Sequence, residues 1–125
     1  FKKINDTYGH DGGDIALKAV ARAVAEHART EDIVARFGGE EFVVLAPGLD
    51  AESAWTYFEA LRERIAAHDI ELPDGRRIMA STSVGVCLSH DGKPHIHALL
   101  GESDRMLYIA KAGGRNRVEM VAIDA

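Results

Sequence analysis

The sequence predicts an α+β domain, a sheet with helices packed on one or both of its faces. Two observations lead there. Apolar stripes at helical spacing recur in three separated stretches with strand-like stretches between them, and the order helix, strand, strand, helix, strand, helix, strand mixes antiparallel with parallel connections. No internal repeat or low-complexity linker interrupts this order, and a chain of this size fills one core, so residues 1–125 read as a single domain.

Taken in order, Asp11 to Arg29 carries Ile15, Ala16, Ala19, Val20, Ala23 and Val24 on one helical stripe, with Asp14 near the positive end of the helix dipole. A helix there needs a sheet partner before it. Phe1 to Ile4 is expected to be the stub of that strand, and "FKKIND" reads as the continuation of an element already under way, as in a piece of a longer protein. Ile33 to Phe37, Gly38-Gly39 and Glu40 to Ala46 form a hairpin, because two glycines accept the positive φ of a two-residue turn. Ala51, Ala54, Trp55, Phe58, Leu61 and Ile65 mark a second helix ending near His68, and "LPDGRR" (Leu72 to Arg77) is a turn. From Ile78 to Leu88 residues alternate in a strand. Ile96, Leu99, Leu100, Ser103, Met106, Leu107 and Ala110 form the stripe of a last helix, stopped by Gly113-Gly114, and Arg117 to Ile123 closes the chain as a strand.

Bulk chemistry narrows the function classes. The net charge of -5, with no basic stripe, argues against a polymeric nucleic-acid partner. Cys87 is the single cysteine, which leaves no internal disulfide or zinc cluster and favours a reducing, cytoplasmic compartment. No apolar run reaches the ~18 residues of a membrane span and no signal peptide is visible, so no membrane contact by this domain is expected.

Four segments carry candidate chemistry. In "RFGGEEFVVL" two carboxylates, Glu40 and Glu41, follow the glycine turn; strand alternation would point them to opposite faces unless the turn distorts the strand. Their oxygens suit magnesium, which takes one or two carboxylates and fills its other positions with water and phosphate; the same residues also make an ordinary hairpin with two solvated acids. In "FKKINDTYGHDGGD" a glycine-rich strand-to-helix connection is bracketed by Asn5 and Asp14, an amide and a carboxylate able to pair with a guanine edge, or simply a turn with a helix cap. In "YIAKAGGRNRV" Lys111 and Arg115, four apart at a helix end, can reach a triphosphate or complement the helix dipole. "RTED" (Arg29 to Asp32) reads in isolation as a solvated salt bridge.

Together and in this order, the segments "FKKINDTYGH" with Asp14, "RFGGEEF", "STSVGV" and "DRMLYIAKAGGRNRV" resemble the GGDEF family, the diguanylate cyclases that condense two GTP into cyclic di-GMP. The resemblance covers nearly the whole chain. It implies a palm-like, ferredoxin-like βαββαβ core of the nucleotide-cyclase type. It implies that Asn5 and Asp14 read guanine, that Glu40 and Glu41 hold magnesium (or manganese), and that Glu40 takes the proton of the attacking 3′-hydroxyl. Lys111, Arg115 and the weaker candidate Lys2 match phosphate ligands, and Arg29 and Asp32 match an RxxD site for product inhibition by cyclic di-GMP.

The family's metal-binding Asp and the central strand bearing it lie upstream of Phe1. The domain is therefore expected to lack its N-terminal helix and first strand, and this chain alone to turn over GTP negligibly. A cyclic dinucleotide needs two attacks in opposite senses, so catalysis is expected of a homodimer. The alternatives are a module that has lost turnover and serves as a GTP or cyclic di-GMP receptor, and a purely structural interaction domain; GTP turnover and guanine-nucleotide binding discriminate them.

Overall fold

A computed structural model of the chain describes residues 2–37, 40–89 and 95–123. The elements among the described residues are, in order, α1 (Lys2–His27), β1 (Ile33–Arg36), β2 (Phe42–Leu45), α2 (Ala51–Ala67), β3 (Asp69–Glu71), β4 (Arg77–Met79), β5 (Val84–Ser89), α3 (Ile96–Ala112) and β6 (Val118–Ile123). The architecture is α+β, with antiparallel pairs β1-β2 and β3-β4 and a parallel pair β5-β6. Contacts divide the chain into two compact units, Phe1–Pro47 with Ala67–Ala80, and Gly48–Ala66 with Ser81–Ala125.

In the first unit, α1 begins nine residues earlier than the periodicity predicts. The segment expected as a strand stub is helical from Lys2 onward, while Phe1 lies outside the described residues, and the expected strand-to-helix loop is a helix broken at Gly9. Gly9 has φ 79° and ψ 174°, a backbone conformation open to glycine and strained for other residues. Beyond the break, Ala16, Val20, Ala23 and Val24 bury one face of α1, and Ile70, Leu72, Ile78 and Ala80 complete the buried apolar set of this unit. The β1-β2 register runs from Ile33↔Leu45 to Arg36↔Phe42.

The predicted strand over residues 78–88 is two strands with different partners. β4 pairs antiparallel with β3, a three-residue strand the sequence reading placed in no element, and β5 pairs parallel with β6. Ile70 and Ile78 face each other across β3-β4 and are both buried. The "LPDGRR" turn joins this pair, closed by Gly75 N–H donating to the Leu72 carbonyl at 2.9 Å and by Leu72 N–H donating to the Arg76 carbonyl at 2.8 Å.

In the second unit, Asp50 caps α2: its carboxylate accepts from Ser53 N–H at 2.8 Å. Ala54, Phe58, Leu61 and Ile65 bury the apolar stripe of that helix. β5 and β6 run parallel from Val84↔Val118 to Ser89↔Ile123, and α3 lies against both strands. Gly85 permits that approach, because a Cβ there would collide with the Ser103 carbonyl and Leu107 N, and would stand 2.9 Å from Leu107 Cα. No described helix is long and apolar enough to cross a membrane.

Candidate active site

Glu40 and Glu41 stand in the connection between β1 and β2 rather than on a strand, since β2 starts only at Phe42. Strand alternation therefore does not separate them. Both are exposed, and Phe37 N–H donates to the Glu41 carbonyl at 2.7 Å, which closes the turn beneath them. Gly38 and Gly39 lie outside the described residues. Among the described residues no group of three or more His, Cys, Asp or Glu side chains is placed to hold a metal ion. The donor set at the turn is two hard carboxylates, which is the number magnesium takes from protein when phosphate and water supply the rest.

Asn5 and Asp14 both belong to α1, on either side of the Gly9 break. The Asn5 amide lies directly on Gly13, where a Cβ would overlap Asn5 Oδ1 and stand 2.8 Å from Asn5 Cγ. The missing side chain at residue 13 thus lets the Asn5 amide sit one position from Asp14. Asp14 lines an open cavity of about 290 Å³ with Leu17, Lys18, Ala21 and Arg36. Leu17 and Arg36 are not among the residues the sequence reading selected. Leu17 is legible afterwards as the helical i+3 neighbour of Asp14, whereas Arg36 reaches the cavity from β1 and leaves no local signal.

The "RTED" segment is built rather than solvated. Arg29 Nη2 and Nε donate to Asp32 Oδ1 at 2.7 and 3.1 Å, Arg29 N–H donates to Asp32 Oδ2 at 2.9 Å, and Nη2 also donates to the Pro47 carbonyl at 2.8 Å. The Asp32 side chain is 0% exposed and that of Arg29 31%. Such a bidentate pair fixes the plane of the guanidinium. The expectation of a solvated ion pair is corrected: the carboxylate is withdrawn from water and held by the Arg29 guanidinium and backbone N–H.

Lys111 and Arg115 are exposed at the end of α3 and just beyond it, and neither side chain has a hydrogen bond or ion pair among the described residues. Gly114, Arg115 and Asn116 all have positive φ, 123°, 65° and 47°, so the chain leaves α3 through a left-handed turn that includes Arg115 itself. Lys2 opens α1, but its side chain lies outside those described.

Residues 1–117 match the family model described as "Diguanylate cyclase, GGDEF domain". The chain belongs to the GGDEF family. This GGDEF domain is 41% identical over 122 residues to the probable diguanylate cyclase DgcC of Escherichia coli, covering 98% of this chain and 32% of that protein. It is 38% identical to diguanylate cyclase A of Treponema denticola, covering 96% of this chain and again 32% of the relative. The chain thus spans about a third of the curated relatives it matches. Among solved structures, the GGDEF domain of DgcB from Caulobacter crescentus in complex with c-di-GMP superposes with a TM-score of 0.83 at 32% identity, over 95% of this chain and 70% of that one. The α+β fold of this GGDEF domain is accordingly that of the palm-like cyclases.

Proposed function

We propose that this GGDEF domain binds one GTP and, facing a second copy across a two-fold axis, condenses the two into cyclic di-GMP and pyrophosphate. The observation that carries the reading is the pair of exposed cations Lys111 and Arg115, without an ion pair among the described residues, at the end of α3 and just beyond it, in a chain whose signature carboxylates stand exposed on a hairpin turn. Cations already neutralised by carboxylates would have little left for a triphosphate. Asn5 and Asp14 take the guanine: the carboxylate accepts from N1–H and N2–H₂, the amide meets the O6 or N2 side, and Leu17 offers an apolar wall to the ring.

Glu40 and Glu41 are the residues that would hold magnesium or manganese, which would supply Lewis-acid neutralisation of the phosphate charge. Glu40 accepts the proton of the 3′-hydroxyl as that oxygen forms a bond to the α-phosphorus of the opposing GTP. The bond from that phosphorus to the bridging oxygen breaks, and pyrophosphate leaves with the electron pair. Lys111 and Arg115 neutralise the departing charge. A second attack in the opposite sense closes the ring, which is why two domains must face each other. Arg29, held by Asp32 and Pro47, is the product-binding position that inhibits the enzyme, and c-di-GMP bound to the Caulobacter relative supports that ligand class.

The test is Glu41→Ala in the intact protein. It is expected to abolish cyclic di-GMP synthesis while leaving the melting curve and guanosine binding unchanged, because an exposed turn residue supports no core. A folded variant with undiminished turnover overturns the metal assignment. A wild-type protein that binds GTP and cyclic di-GMP but releases no pyrophosphate is a receptor and not a cyclase.

A further inference from the structure

The left-handed turn after α3 is held from outside its own neighbourhood. Some of its restraints are local: Gly114 N–H donates to the Lys111 carbonyl at 3.4 Å, Arg115 N–H to the Ala110 carbonyl at 2.9 Å, and Arg117 Nε to the Arg115 carbonyl at 3.2 Å. Another comes from α2, 54 positions away in sequence, where Arg62 Nη1 donates to Asn116 Oδ1 at 3.0 Å. Arg62 is itself fixed. Its Nε donates to Glu59 Oε1 at 2.5 Å, its Nη2 pairs with the same carboxylate, Glu63 stands 3.7 Å from Nη2, and its side chain is only 17% exposed.

A long arginine on a helix surface ordinarily moves among many rotamers, so one forked between a carboxylate and a distant amide acts as a strut. The strut ends on Asn116, which has φ 47°, beside Arg115 with φ 65°. Asparagine tolerates this region and arginine is disfavoured in it, so the turn needs restraint on both sides of Arg115. The Arg115 side chain has no hydrogen bond or ion pair of its own among the described residues, and the direction in which it leaves the turn is therefore set by the backbone.

We propose that Glu59 and Arg62 are positioning residues for Arg115: they fix Asn116, hold the left-handed turn, and aim the Arg115 guanidinium at the triphosphate. This rests on the reading of Arg115 as a phosphate ligand. Neither Glu59 nor Arg62 is needed to touch the nucleotide, and the effect of removing either passes through Arg115.

The experiment measures binding of GTP and of guanosine to the intact protein with magnesium, for wild type, Arg115→Ala, Arg62→Ala, Asn116→Gly, and the Arg62→Ala/Arg115→Ala double variant. Asn116→Gly keeps the left-handed turn open to the backbone but removes the acceptor, so it tests the strut even where Arg62→Ala loses stability. Arg62→Ala and Asn116→Gly are each expected to weaken GTP about five- to tenfold with guanosine unchanged, and Arg62→Ala is expected to add nothing in the Arg115→Ala background. If Arg115→Ala leaves GTP binding intact, the phosphate reading itself fails. If Arg115→Ala weakens GTP but Arg62→Ala and Asn116→Gly do not, or if Arg62→Ala weakens it equally without Arg115, the positioning role is overturned and the phosphate reading stands.

Discussion

At the scale of single residues, the buried carboxylate of Asp32 changes what a substitution at Arg29 does. Arg29 supplies guanidinium hydrogen bonds to Asp32 and also ties the turn to Pro47, so Arg29→Ala removes both the cation proposed to bind product and the side-chain donors to a withdrawn carboxylate. We expect Arg29→Ala to relieve inhibition by cyclic di-GMP with little change in initial rate, and to lower stability by about 1 to 3 kcal/mol for the lost guanidinium hydrogen bonds. Progress curves with added product and a urea melt check the two parts separately; lost initial rate with inhibition intact would make "RTED" a turn and nothing more. Acid stability is also decided by individual groups. The Asp50 carboxyl is held below the usual carboxylate range by the Ser53 backbone N–H and then by the Ser53 hydroxyl, and that of Asp74 by the Arg76 backbone N–H. A folded-state value below the unfolded one means the unfolded chain binds the proton more readily, so this stabilisation is present above the unfolded value near pH 4 and is lost as pH falls through the folded one. Asp50→Ala should accordingly lower the melting temperature at pH 7, and the difference from wild type should shrink in acid. A difference that stays constant down to pH 2 would show that the cap contributes through shape and not charge.

At the scale of elements, the tightest constraint is the approach of α3 to β5 across Gly85. A Cβ at residue 85 meets backbone atoms of Ser103 and Leu107, which cannot rotate away as a side chain can, so the helix must lift from the strand. Gly85→Ala is therefore expected to cost about 1 to 3 kcal/mol, the range of overpacked cores, and a melt within error of wild type would show that α3 has slack. Which elements were legible follows from how far each one's pattern runs. α2 and α3 are readable because a single helical period persists across each of them, and the hairpin and β6 because glycine pairs punctuate the chain beside them. Residues 78–88 misled because β4 and β5 continue the same alternation in phase while exchanging partners, and alternation reports which face a side chain takes, not which strand it pairs with. β3 is too short to show any period. In α1 the glycines looked like a loop, yet Gly12 and Gly13 are buried where a Cβ would stand 2.6 Å from Tyr8 Cβ or overlap the Asn5 amide, so packing and not flexibility selects them. The site divides in the same way. Positions inside a motif announce themselves, whereas Arg36 lining one cavity with Asp14 and Arg62 bonded to Asn116 depend on how segments distant in the chain come together.

At the scale of the whole molecule, the proposed chemistry cannot be completed by one domain, and that makes a quantitative statement about mixtures. Each domain would contribute one GTP, one set of signature carboxylates and one attacking 3′-hydroxyl, and the ring closes only if both attacks succeed. A dimer containing one Glu41→Ala subunit can pair and bind GTP, because an exposed turn residue is distant in role from guanine binding, but it performs at most one of the two condensations. Random pairing of equal amounts of wild type and Glu41→Ala therefore leaves about one quarter of dimers with two competent sites, so cyclic di-GMP output per wild-type subunit should fall to about half its unmixed value at the same total protein concentration. Linear dinucleotide from the mixed dimers should appear at the same time, with one pyrophosphate released for each. Two other results exclude the dimer argument, provided both proteins are first diluted and reconcentrated together so that partners exchange. Output per wild-type subunit that is then untouched by the variant means that domains act alone; output that falls to zero at small additions of variant means an assembly larger than two.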